Sequence, residues 1–184
     1  MNPPQIYLDH NAGWPLSTAA AEAMRAAMGE TGNPSAIHGY GRGQRDRLEA
    51  ARRAVADAAG VDPQAVVFTS GGTEANGLGL AGLCAAARAR GLMDVVLSPA
   101  DHPSLIGAAD ALRGSGHRVH WLPVSADGQI AEAGWSMLAA QPAVVALGWV
   151  NHETGVVTDI ARAAAATRAA GGTLHVDAVQ ALAK

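Results

Sequence analysis

A single cysteine, Cys84, stands in 184 residues, so no internal disulfide forms and packing alone must hold the fold. Such a chain suits a reducing cytoplasm. Aromatic residues make up 4% of the sequence, which leaves the core to aliphatic and small side chains. Basic residues are few and scattered, 13 Lys and Arg against 16 Asp and Glu. The net charge of −3 therefore gives no electrostatic footprint for nucleic acid or an anionic membrane surface. No apolar run approaches the ~20 residues of a membrane-spanning helix. Met1–Gln5 lack the basic and apolar regions of a signal peptide. There is no internal repeat, low-complexity tract or linker, and no metal site is expected.

Hydrophobic residues account for 49% of the chain, and 22 glycines accompany them. That composition suits closely packed helices on a sheet. After an extended N-terminal segment, residues 1–16, Ser17 is placed to cap a helix running to about Met28, with Ala and Met inside. Gly29–Gly43 reads as a loop. A second helix is expected from about Gln44 to Ala59, with Leu48, Ala51, Val55 and Ala59 on one stripe and Gly60 ending it. From there strands and helices alternate. Strands are expected at Val66–Thr69, Val95–Ser98, Val119–Leu122, Val144–Val150 and Leu174–Val176. Helices are expected at Thr73–Arg90, Pro103–Arg113, Glu132–Ala139 and Asp159–Ala170. Several strands are continuous apolar runs, as in a sheet covered on both faces. The alternation predicts an α/β fold with a doubly wound, mostly parallel sheet.

In such a sheet, ligands sit outside the carboxyl ends of the strands. Four polar clusters fall there. Ser70-Gly71-Gly72-Thr73 follows a strand and opens a helix, either as a tight turn or as a cradle whose free amides and Thr73 hydroxyl hold a phosphate. It is neither a P-loop nor a dinucleotide fingerprint. His102, just before Pro103, is either a helix-entry residue or an imidazole that stacks on a planar cofactor and moves a proton. Asn151, in Asn151-His152-Glu153-Thr154-Gly155, offers an amide to a cofactor hydroxyl or a substrate carboxylate. The alternative is an ordinary loop with Gly155 at positive φ. Asp177 ends the last strand and Gln180 follows three residues later. The carboxylate either caps the next helix or keeps a pyridine nitrogen protonated, which makes the ring an electron sink. A phosphate cradle, a planar stacker, a ring-hydroxyl partner and a ring-nitrogen partner together match the needs of pyridoxal 5′-phosphate (PLP).

Leu8-Asp9-His10-Asn11-Ala12, Asn33-Pro34-Ser35 with His38 and Gly41, Thr69–Asn76, Asp101-His102-Pro103, Val150–Gly155 and His175–Gln180 occur in family order over nearly the whole chain. In these the sequence resembles the N-terminal part of a cysteine desulfurase, a class V aminotransferase-like enzyme of the PLP fold-type I group. The resemblance implies that residues 17–184 are the N-terminal portion of the PLP-binding large domain, with later strands and a C-terminal small domain lying beyond. It implies that Gly72 and Thr73 hold phosphate and that His102 stacks on the ring as the catalytic residue. It sets Asn151 and Gln180 near the ring hydroxyl and Asp177 on the pyridine nitrogen. The implied reaction takes sulfur from L-cysteine to an enzyme cysteine, releasing alanine and supplying iron–sulfur cluster or thio-cofactor synthesis. A homodimer and a sulfur-acceptor or scaffold protein are the implied partners. Other class V lyases or aminotransferases, such as a selenocysteine lyase, remain open, as does a non-catalytic binding module.

The family's Schiff-base lysine lies in a Ser-x-His-Lys motif further downstream, and Lys184 follows Gln180 too closely to be that residue. The persulfide-forming cysteine lies further on still, and Cys84, among Ala and Leu, reads as a packed core thiol. Where the family has Ala-Thr-Thr-Pro, this chain has Ala12-Gly13-Trp14-Pro15, which brings Trp14 to bear on substrate choice. The resemblance also implies a seven-stranded sheet in which two later strands separate Val66–Thr69 from Leu174–Val176. The 184 residues are accordingly not expected to be a self-sufficient catalytic domain.

Overall fold

A computed structural model describes residues 6–182; Met1–Gln5, read above for a leader, and Lys184 lie outside the described residues. The chain divides into two compact units, Met1–Phe68 and Thr69–Lys184.

In the first unit, α1 spans Thr18–Met28, and Ser17 caps it as expected, its Oγ accepting from Ala20 N at 3.2 Å. No residue of α1 is buried, so the expected inward face of Ala and Met is absent. α2 spans Gly39–Ala59 and starts five residues before the expected Gln44. The glycines that read as loop sit inside its first turns because His38 supplies the cap, with Nδ1 accepting from Gly41 N at 3.3 Å. Gly41 is there for clearance: a Cβ would lie 2.4 Å from Ala36 O. Gly60, at φ 68°, ends the helix as expected. Of the stripe Leu48, Ala51, Val55 and Ala59, none is buried. Only Gly41 and Ala56 are buried in α2, because no sheet among the described residues of this unit offers the stripe a surface.

Val66–Thr69 is a further correction, because these residues form no strand. A strand exists only through its ladder, and the described residues provide none here. Instead a 3-10 turn at Pro63–Ala65, capped by Asp62, leads into the segment, and Val66 O accepts from Arg52 Nη1.

The second unit is the α/β layer structure the alternation predicted. α3 (Gly72–Ala89) precedes β1 (Asp94–Leu97), and α4 (Pro103–Ile106) and α5 (Ala108–Gly114) lead to β2 (Arg118–Trp121). α6 (Glu132–Ala140), β3 (Val144–Gly148), α7 (Ile160–Ala169) and β4 (Thr173–Asp177) complete it. The pairings between these strands are parallel, in the order β2-β1-β3-β4. The single helix expected over Pro103–Arg113 breaks at Gly107, where a Cβ would stand 2.9 Å from Pro103 O and the bare backbone lets the turn tighten. β3 stops at Gly148 rather than Val150. The Gly148 N–H goes to the Asp101 carboxylate at 3.0 Å, and Val150 forms an isolated antiparallel bridge with Val157.

Alternate residues of the central strands face opposite layers. Val95, Leu97, Val144 and Ala146 pack with Leu80, Cys84 and Ala87 of α3 and with Leu105, Ala109 and Leu112 of α4 and α5. Val96, Val145 and Leu147 pack with Leu138 of α6 and Ala163 of α7. The chain steps to β2 on one side of β1 and to β3 on the other. The strand order therefore reverses between β1 and β3, the place where open α/β sheets form a ligand crevice.

Candidate active site

The crevice is lined by residues from four segments, at the start of α3 and at the carboxyl ends of β1, β3 and β4. Thr73 comes from α3, Asp101 and His102 follow β1, Asn151 follows β3, and Asp177 and Gln180 come from the end of β4 and the turn after it. All six residues expected to bind a cofactor, Gly72, Thr73, His102, Asn151, Asp177 and Gln180, line this one cleft. Its volume is about 190 Å³, below the roughly 300–1,000 Å³ of a pocket that encloses a whole small molecule.

α3 begins at Gly72, one residue before the expected Thr73, with Gly71 extended as N-cap and no side chain capping the helix. Its first-turn amides thus remain a site for a negatively charged group. The loop ties itself instead: Thr69 Oγ1 donates to Gly71 O at 3.1 Å, and Glu74 Oε2 accepts from Ser70 N at 2.6 Å. Those bonds to Ser70 hold the Glu74 carboxyl below its usual range.

Asp177 is the last residue of β4. Its Oδ1 accepts from Val179 N at 3.0 Å and its Oδ2 from Asn76 Nδ2 at 2.7 Å. Asn76, one helical turn after Thr73, is 5% exposed. Its second amide hydrogen goes to Ser104 Oγ at 2.9 Å, and its Oδ1 accepts from His175 Nε2 at 2.9 Å. Burial lowers the His175 pKa and outweighs the opposing pull of Asp177, so a neutral ring donating through Nε2 is the consistent state. His102 caps α4 as the helix-entry reading foresaw. Its Nδ1 accepts from Ser104 N at 3.1 Å and lies 2.8 Å from Ser104 Oγ. Its ring meets His152 edge-on at 5.1 Å between centroids.

Asn151 serves the loop it sits in. Its Oδ1 accepts from Glu153 N and Thr154 N, and its Nδ2 donates to Ala100 O at 2.6 Å, tying the segment after β3 to the segment after β1. Gly155 has the positive φ, 72°, foreseen for it. Asp101 is the most perturbed carboxylate. Burial pushes its pKa up to about 6, the Gly148 N–H pulls it down and the nearby Asp177 charge raises it further. Its Oδ2 is buried without a hydrogen-bond partner.

Asn76, His175 and Asp101 stood within motifs but were given no role by the sequence reading, and Ser104 was not singled out at all. The signal for Asn76 was its i+3 spacing from Thr73, which puts both on one face of α3. Ser104 sits two residues past His102, the offset at which a side chain commonly bonds a capping residue.

Comparison with known proteins follows the same lines. The family described as aminotransferase class-V matches residues 6–184. A cysteine desulfurase of Cereibacter sphaeroides is 39% identical over 98% of this chain and 47% of its own length. An IscS-like cysteine desulfurase of Mycobacterium tuberculosis is 36% identical over 96% of this chain and 46% of its own. Among solved structures, a NifS-like protein superposes with a TM-score of 0.89 at 26% identity, covering 96% of this chain and 50% of that one. DndA from Streptomyces lividans superposes at 0.77 with 32% identity, covering 96% and 50%. The chain spans about half the length of the curated relatives it matches. No helix among the described residues is long and apolar enough to cross a membrane.

Proposed function

Because the chain belongs to the class-V aminotransferase family, we propose that residues 17–184 form the PLP-holding part of a cysteine desulfurase. The observation that carries the reading is the Asp177 carboxylate, anchored by Asn76 and Val179 at the end of β4 in the same cleft as the uncapped N-terminus of α3. A fixed carboxylate and a set of unclaimed helix amides are the donor and acceptor set that a phosphorylated pyridine needs, so the residues fit the cofactor.

In this reading the first-turn amides of α3 at Gly72 and Thr73, with the Thr73 hydroxyl, bind the phosphate. Asp177 holds a proton at the pyridine nitrogen. His102 lies against the ring, and since its Nδ1 is committed to Ser104, Nε2 is the atom that exchanges a proton. Asn151 and Gln180 orient the ring hydroxyl. When bound, PLP supplies an electron sink for charge that develops beside the substrate nitrogen. The substrate is L-cysteine and the products are alanine and enzyme-bound sulfur, in a homodimer that hands sulfur to an acceptor or scaffold protein. The cysteine desulfurase relatives support this assignment. A reducing cytoplasmic setting accords with the single, buried thiol.

The test has two arms. PLP binding to the 184-residue chain is measured by equilibrium dialysis, with Thr73→Ala and Asp177→Ala each expected to weaken it. Alanine release from L-cysteine is then measured on the full-length product, where Asp177→Ala should lose most activity because an unprotonated pyridine is a poorer sink. Near-normal turnover of Asp177→Ala with PLP bound would sink the assignment.

A further inference from the structure

Resting on the PLP reading of the cleft, we infer that Asn76 is the positioning residue of the site: one buried amide, locked by His175, fixes the Asp177 carboxylate and, through Ser104, the acceptor state of His102. Its hydrogen bonds leave the amide a single orientation. Asn76 has one acceptor oxygen and two N–H donors, and all three face named partners. Flipping the amide would turn its oxygen onto Asp177 Oδ2, acceptor against acceptor at 2.7 Å, and its nitrogen onto His175 Nε2. The carboxylate therefore dictates the orientation, and His175, donating to Oδ1, completes it. With both N–H groups directed, Ser104 Oγ is an acceptor toward Asn76 and turns its own proton to His102 Nδ1, 2.8 Å away. Nδ1 receives the Ser104 backbone N–H as well, so it carries no proton.

The consequence is that the ring-nitrogen partner and the stacking imidazole are not independent. Asp177 comes from β4 and His102 from the loop after β1, and α3 joins them through Asn76. Gly79, one turn further along α3, makes room for this, since a Cβ there would stand 3.0 Å from His175 Cε1. Substituting the amide should disturb groups it does not touch, which mere filling of space would not do.

Two readouts test this, one needing no cofactor. In ¹⁵N spectra of the chain without PLP, Asn76→Asp replaces a neutral acceptor beside His175 with a charged one, and the His175 titration midpoint should rise by about one unit or more. The same variant draws the Ser104 hydroxyl proton away from His102, so the His102 Nδ1 resonance should move in the direction that Ser104→Ala moves it, and Ser104→Thr should restore it. A His175 midpoint and a His102 resonance both unmoved by Asn76→Asp would overturn the inference. If Asn76→Asp does not fold, Asn76→Ala must shift the His102 resonance or the inference fails.

The second readout compares PLP with 1-deazapyridoxal 5′-phosphate, in which C–H replaces the ring nitrogen. The unaltered chain should prefer PLP by about tenfold or more, and Asn76→Ala should erase most of that preference while binding the deaza compound nearly as before. Equal losses for both compounds would reduce Asn76 to a packing residue and overturn the inference. An unaltered chain that binds neither compound would refute the PLP reading, while the His175 and His102 shifts still decide whether the amide is placed as described.

Discussion

Residues 6–68 and 69–182 are built from the same Ala-rich helices, yet the second set buries far more of their faces. α2 is 21 residues long and holds two buried positions, one of them a glycine; α3 is 18 residues long and holds four. The difference does not lie in the pattern, because α2 carries a recognisable apolar stripe. It lies in what stands opposite. α3 faces β3 and β4, whose side chains alternate between two helix layers, while the described residues of the first unit form no sheet. An amphipathic pattern states which face would be buried; burial itself requires a surface of matching size.

The sharpest way to break that contrast is a paired truncation. Leu97, in the middle of the sheet, is 0% exposed, and Leu97→Ala should cost about 2–5 kcal/mol through lost transfer energy and the cavity left behind. Val55 on the α2 stripe is 42% exposed, and Val55→Ala should stay within about 0.5 kcal/mol. Urea unfolding of both variants measures this. A Val55→Ala as costly as Leu97→Ala would mean that the stripe is covered after all.

Carboxylates divide the units in the same way. In the first unit Glu30 and Glu49 pair with Arg47 and Arg52 at the surface, where such pairs contribute little. In the second, Asp101 is enclosed, and its pKa rises to about 6 from 3.8. The folded state thus binds this proton more tightly than the unfolded state does. Its stabilising effect is full below pH 3.8 and is lost as pH rises through about 6. A shift of that size corresponds to at most about 3 kcal/mol. Asp101→Asn keeps an oxygen for the Gly148 N–H and removes the charge. The variant should therefore gain stability over the unaltered chain at pH 8 and lose that advantage at pH 4, as read by urea unfolding at the two values. An advantage of the same size at both would show that the carboxyl is solvated.

The second unit was the legible half. Continuous apolar strands alternating with helices gave its layers, and Gly-Gly-Thr before a helix, His before Pro and Asp at a strand end gave the edge where the cleft lies. All six expected ligand residues line it. Three kinds of information were not local. The Gly107 break and the early start of α2 depend on backbone clearance of 2.9 Å at Pro103 O and 2.4 Å at Ala36 O, which no spacing rule reports. Val66–Thr69 had strand composition but no neighbour to pair with. The Asn76 relay joins residues up to 101 positions apart. An Asn inside a helix carries no message until the fold brings His175 and Asp177 to it.

Cys84 gives the smallest expected effect and the finest comparison. It is 2% exposed, packs with Leu80 and Ala87 of α3 and with the sheet, and burial pushes its thiol pKa up. A thiol held protonated and covered is neither a nucleophile nor a sulfur acceptor. Cys84→Ala should cost only about 1 kcal/mol, the loss of a small packed side chain. Its reaction with iodoacetamide must wait for α3 to leave the sheet, so the rate at a given pH reports the opening of the second unit. Placing Val55→Cys on the Cys84→Ala background moves the thiol to the exposed stripe of α2, where it should alkylate at the rate of an unstructured peptide thiol. The ratio of the two rates measures the difference between a face that has a sheet and one that does not. Equal rates would mean that Cys84 is as accessible as a surface thiol, and the burial of α3 against the sheet would then not protect it.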